Sequence, residues 1–103
     1  MLTHEQIKKM CLQELDQTIS DILGKVLTPY SKNWRDAGSL LDILAAKNAT
    51  IDIVCNNGWV VRIEMTGDTN DDIYYKTTAY GNAPEAIARC FLEWWEVTHE
   101  EAE

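Results

Sequence analysis

Basic residues are scarce in this sequence: nine Lys and Arg stand against 17 Asp and Glu, a net charge of −8. Phosphate contacts are made mainly by Lys and Arg, so the balance argues against direct binding of nucleic acid and favours a partner with a basic surface. Histidine is scarcer still. His4 and His99 lie at opposite ends of the sequence, with no Cys or carboxylate at a zinc-ligand spacing, so no metal site is expected. The three cysteines, Cys11, Cys55 and Cys90, are odd in number and widely spaced, which argues against a disulfide framework. Each falls on an apolar position of a predicted element and is expected to be a reduced core thiol. No apolar run approaches the roughly 20 residues that span a bilayer, and no charged-then-apolar leader opens the sequence. The expected location is cytoplasmic, without membrane contact.

The signatures of catalysis are also missing. The five glycines are scattered and build neither a phosphate-cradling loop nor a dinucleotide fingerprint, and no nucleophile elbow occurs. Asp68, Asn70 and Asp72 imitate the opening of a calcium loop, but Ile73 stands where the turn requires Gly and Ala79 where it requires a bidentate Glu. The segment is expected to be a solvated hairpin loop. No catalytic residue and no cofactor are assigned, and the expectation is a protein that is not an enzyme.

What the sequence does contain is enough apolar material, 46% of 103 residues, for one hydrophobic core. A single domain over 1–103 is expected, with an acidic tail at about 99–103. Thr3 followed by Gln6 is a capping box that starts a helix, and the apolar face shifts by about a third of a turn between Cys11 and Gln13, which predicts a bend or break there. Gly24 is an early stop signal. A second helix is predicted from Asn33 to Lys47, with Trp34, Ala37, Leu41 and Leu44 inward; Gly38 in its middle suggests that another element packs closely at that turn. From Thr50 the period becomes two. Ile51, Ile53 and Cys55 face Trp59, Val61, Ile63 and Met65 across an Asn56-Asn57-Gly58 turn, and a third strand follows with Ile73, Tyr75, Thr77 and Ala79 inward. Asp52, Arg62 and Glu64 share the outward rows, where cross-strand charge pairs are expected. Asn82 with Glu85 makes a second capping box, starting a last helix near Ala83 whose core stripe is Ile87, Cys90, Phe91, Trp94 and Thr98. The fold class is therefore α+β: N-terminal helices, a three-stranded antiparallel sheet, and a C-terminal helix packed on the sheet.

Two surfaces of the last helix are candidates for function. At 100° per residue, Glu85, Glu93, Glu96, Glu100 and Glu103 share an outer face with Arg89 as its only cation. Like charges at this spacing and acids near a helix C-terminus both oppose helix stability, although a solvated face with an acidic tail is the plainer alternative. Beside the stripe, Leu92, Trp95 and His99 extend from Ala88 as a second apolar edge. It is either the cover of a neighbouring helix or the interface of a homodimer or partner.

Several short motifs occur in this order: Leu15-Asp16 in the first helix, Pro29-Tyr30-Ser31 followed six residues later by Ala37, and Ala83-Pro84-Glu85-Ala86-Ile87 after the strands. In these the chain resembles the phage ABA sandwich domain family, small proteins of phages and prophages. The resemblance implies an α+β sandwich and a phage origin, hence the cytoplasm of a bacterial host, and it supplies no catalytic residue or cofactor. Two departures stand out: a Trp of the family's second helix falls at Gly38, with Trp34 one turn earlier expected to fill that space, and the family's Pro-Gly break in the first helix is missing. The family name implies helices on both faces of the sheet, whereas the alternation of Arg62, Glu64 and Lys76 predicts one wet face and two layers.

Charge and setting together lead to an expected function. The chain is expected to be a non-enzymatic phage or prophage protein that binds and inhibits a host protein, a defence-system protein being one candidate, with the acidic stripe able to imitate a nucleic-acid backbone as an anti-CRISPR-like DNA mimic would. Its glutamates rise by about 5 Å per step, near the roughly 3.4 Å step between phosphates on one strand. The alternative is a small oligomeric ligand-binding or scaffolding module.

Overall fold

The computed structural model describes residues 3–47, 49–55, 57–65, 73–76 and 82–100; the side chains at 4, 65, 73–76 and 97–100 lie outside that description. The first helix, α1 (His4–Lys9), opens on the capping box: the Thr3 hydroxyl accepts from the Gln6 amide at 3.2 Å, and Gln6 Oε1 accepts from the Thr3 amide at 2.8 Å. Met10 and Cys11 then take extended geometry and α2 (Leu12–Leu23) begins. The break lets Ile7 and Met10 before it, and Leu15 and Ile19 after it, enter one core. Gly24 ends α2 at φ 65°, a left-handed conformation that glycine adopts at little cost, and the Lys25 amide returns to the Ser20 carbonyl at 2.9 Å.

Asn33 caps α3 (Trp34–Ala46) by accepting from the Arg35 amide at 2.8 Å, and Ala37, Leu40 and Leu44 form its buried face. Strands β1 (Thr50–Cys55) and β2 (Trp59–Met65) pair antiparallel, with Ile51 opposite Ile63 and Ile53 opposite Val61. Asn57 and Gly58, both at positive φ, turn the chain between them. Short β3 (Ile73–Lys76) adds to the other edge of β2, giving the order β1-β2-β3. The expected strand residues Thr77 to Ala79 and the acidic loop at Asp68, Asn70 and Asp72 lie outside the described residues. Asp52 and Arg62, directly opposite on the outward rows, form the expected ion pair, each side chain a little over 40% exposed.

The last helix, α4 (Ala83–Glu100), starts where Asn82 Oδ1 accepts from the Glu85 amide at 2.8 Å. One side of α4 lies against β2 and β3, α3 packs beside it, and α1 and α2 pack on it rather than on the sheet. Ala83, Pro84 and every residue from Ala86 to Leu92 are consequently buried. A helix that is apolar nearly all round belongs in an interior. The α+β class holds, but α4 is the centre of the molecule rather than one outer layer.

Four core expectations are corrected. Trp34 is 55% exposed and leans on Trp59, ring centroids 5.9 Å apart and nearly perpendicular, because the first turn of α3 overhangs the hairpin end instead of the core. Gly38 has no close neighbour: a Cβ built there meets nothing within 4 Å, so neither Trp34 nor another element fills that turn. Cys11 and Cys55 are exposed because each lies at an element end, Cys11 before the first turn of α2 and Cys55 in the last pair of the hairpin; only Cys90 is a core thiol.

Candidate functional site

The residues of the acidic stripe separate into three environments. Glu85 is inward. Its carboxylate accepts from Arg89 Nε at 2.9 Å, and its side chain is 17% exposed. Arg89, expected as a surface cation, is buried and uses Nη1 to donate to the Ile7 carbonyl at 2.6 Å, so that it caps the last turn of α1. This corrects the assignment of Glu85 to the partner-binding stripe: α1 and α2 cover that part of α4. Glu93 and Glu96 are half-buried on the following turns. The side chains of Glu100 and Glu103 lie outside the described residues, as does that of His99.

The apolar edge is also corrected. Leu92 is fully buried and belongs to the core. It is therefore unavailable to a partner while the fold is intact. Trp95 remains half-exposed at the margin, its ring 6.5 Å from that of Trp94. Of the predicted site residues with described side chains, Glu93, Trp95 and Glu96 are half-exposed on α4.

Cys90 is placed next to this surface but cannot serve it chemically. Burial pushes its thiol well above the ordinary cysteine range, with the nearby Glu93 charge adding to the effect. The thiol stays protonated and points at the Val61 carbonyl, 3.5 Å away. Among the described residues no group of three His, Cys, Asp or Glu could hold a metal ion, and no described helix is long and apolar enough to cross a membrane.

A second constellation was not singled out as a site by sequence: the connector between α2 and α3. Asp16 is buried, and its two carboxylate oxygens accept from the Ser31 amide at 2.8 Å and the Ser31 hydroxyl at 2.9 Å. Ser20 Oγ accepts from the Thr28 amide at 3.0 Å, and Tyr30 is buried between these anchors. Because Ser31 is itself buried and its hydroxyl is committed to Asp16, the pair fastens the connector instead of presenting a nucleophile. Gln13, Asp16, Leu27, Pro29 and Lys32 line a shallow cleft beside it. The signal available in sequence was the Lys25–Arg35 stretch, apolar and basic by turns in an acidic chain.

No family model, curated protein or solved structure matches the chain. The motifs that carry the phage-family resemblance each serve the fold, since Asp16 and Pro29-Tyr30-Ser31 close the connector and Ala83-Pro84-Glu85 opens the central helix.

Proposed function

We propose that the chain is a non-catalytic phage or prophage protein that binds a host protein through the acidic end of α4 and inhibits it, with the glutamates occupying a groove built for a nucleic-acid backbone. A defence-system protein with a basic surface is the partner class this chemistry suits. The observation that supports the reading is the inward turn of Arg89. Glu93, Glu96, Glu100, Glu101 and Glu103 follow it with no Lys or Arg among them, while Arg89 itself is buried and donates to Glu85 and to the Ile7 carbonyl. Fields of one sign raise encounter rates with an oppositely charged partner and weaken as salt screens them.

The test is affinity capture from bacterial lysate, followed by titration of the captured partner with wild type and with the variant carrying Gln at 93, 96, 100 and 103. Gln preserves size and helix propensity. Affinity should fall sharply and its salt dependence should flatten; unchanged binding removes the mimicry reading. The second reading, an oligomeric ligand-binding or scaffolding module, loses Leu92 as a contact but gains support from the apolar side chains exposed on the connector, Val26 at 84% and Leu27 at 53%.

A further inference from the structure

The sheet ends on one side at β1, and that edge is open. The strand order is β1-β2-β3, and among the described residues no backbone hydrogen bond reaches Thr50–Cys55 from any element but β2. The amides and carbonyls on the far side of β1 therefore have no protein partner. Thr50, Val54 and Cys55 are exposed. Ile51 and Ile53, although inward, are only half-buried, whereas the residues opposite them on β2, Ile63 and Val61, are fully buried. The core thins toward this edge.

Folded proteins usually blunt such an edge with a Lys, a Pro, a bulge or a very short strand. β1 has none of these. Its six residues include two Ile and a Val, run in unbroken register with β2, and carry one charge, Asp52, which Arg62 pairs from β2. An apolar edge of this length is a template for another strand.

The strand that fits it is a second β1. We propose that two copies pair their β1 strands antiparallel across a two-fold axis at Ile53, joining their sheets into one. Opposite residues in an antiparallel pair share a face, so this register sets Ile53 against Ile53, Ile51 against Cys55 and Asp52 against Val54 of the other copy. An inward row then runs from Ile63 and Ile51 of one copy to Cys55 and Trp59 of the other without a charged side chain. On the outward face each Asp52 keeps Arg62 on one side and meets Val54 on the other, and the two exposed Val54 side chains approach diagonally. An axis at Asp52 gives the same overlap but sets two carboxylates face to face. Charge thus selects the register, and the edge is its own complement. Copies of net charge −8 repel one another, but charges more than about 8 Å apart are largely screened at physiological salt. The seam is one strand about 20 Å long, smaller than the roughly 800 Å² per partner of a standard interface, so the dimer is weak. The contact uses no residue of α4. It goes beyond the host-partner reading, which can fail while the seam stands, and it gives the oligomeric reading a defined interface.

The test joins sedimentation velocity of the full chain over a concentration series to cross-linking. Wild type should pass from monomer to dimer and grow no further. Val54→Glu, at a position 52% exposed, sets a like charge against Asp52 of the other copy and should weaken dimerisation by about tenfold with an unchanged circular dichroism spectrum. In a Cys11→Ser background, Ile51→Cys places a thiol opposite Cys55 of the other copy at about 4.5 to 5.5 Å between Cα atoms, within the disulfide range. Oxidised glutathione should then trap a dimer bridged between positions 51 and 55, and the Cys11→Ser chain without Ile51→Cys should give far less. A wild type that stays monomeric up to millimolar concentration overturns both the seam and the oligomeric reading. A dimer that survives Val54→Glu, or one that yields no bridge between 51 and 55, overturns the seam and leaves the oligomeric reading standing. Monomeric wild type whose binding to a captured host protein is lost in Val54→Glu assigns the edge to a foreign strand, which also overturns the seam.

Discussion

Replacing Arg89 by Met keeps most of the side chain's bulk and removes its guanidinium from the junction of α1 and α4. Two of the interactions lost set the scale. The first is the ion pair to Glu85, whose side chain is only 17% exposed. Stranding one partner of a fully buried pair costs about 3 to 5 kcal/mol, but Glu85 keeps some contact with water and sits in the first turn of α4, where the helix dipole favours a negative charge, so about 2 kcal/mol is the better figure here. The second is the bond to the Ile7 carbonyl; that oxygen still accepts from the Met10 amide at 3.3 Å, so about 1 kcal/mol is assigned to it. The expected loss is about 3 kcal/mol, which for a domain of this size lowers Tm by about 12 to 24 °C. Urea denaturation followed by circular dichroism measures it. Adding Glu85→Gln removes the stranded charge and should recover part of the loss, and hydrogen exchange should show the amides of α1 opening ahead of the rest. A loss under about 1 kcal/mol, or no recovery in the double variant, would refute the view that Arg89 fastens α1 to the central helix.

The other expectations are brief. Gly38→Ala should stabilise the fold by up to about 1 kcal/mol in the same denaturation assay, since a Cβ there meets nothing within 4 Å and helix propensity favours Ala. A thiol reagent applied to the native protein should modify two cysteines, Cys11 and Cys55, and reach Cys90 only on unfolding. Because the Cys90 thiol is raised in the fold, the unfolded chain loses that proton first; stability linked to it is complete below pH 9.0 and falls by about 1.4 kcal/mol per pH unit above it, a slope that Cys90→Ala should remove. Ile87→Asp, which buries an unpaired charge in the core, should abolish cooperative unfolding, and melting within a few degrees of wild type would contradict the placement of α4.

Sequence revealed most where structure is decided locally. The Thr3 box, a break close to Cys11, the stop at Gly24 and the Ile51-to-Met65 hairpin each depend on a few neighbouring residues, and each is present, the break falling at Met10 and Cys11. It revealed least where two layers compete for one helix. Ile87, Cys90, Phe91 and Trp94 give the row facing one layer, while Ala88 and Leu92 give a row for another; a plot of angles shows both rows without saying that both are covered. Arg89 misled for the same reason, since a charge is assigned to solvent unless its buried partners, one of them a backbone carbonyl 82 residues away, are known. At the candidate site the same limit applies: Glu93, Trp95 and Glu96 are half-exposed, whereas Glu85 turns to Arg89 and Leu92 is buried.

The central position of α4 bears on how the chain acquires its shape during synthesis. Val61 and Ile63 on the sheet, Leu40 and Leu44 on α3 and Ile7 on α1 all belong to a core that includes α4, which is made after all of them. A nascent chain that has passed Met65 but not Leu92 therefore presents a two-stranded hairpin and three helices whose apolar faces have no cover. Such a species is prone to association and is a natural client for chaperones. Folding of the whole must wait until the α4 segment clears the ribosome, and because α4 joins elements distant in sequence, completion is governed by long loop closures rather than by the helices and hairpin that form within themselves.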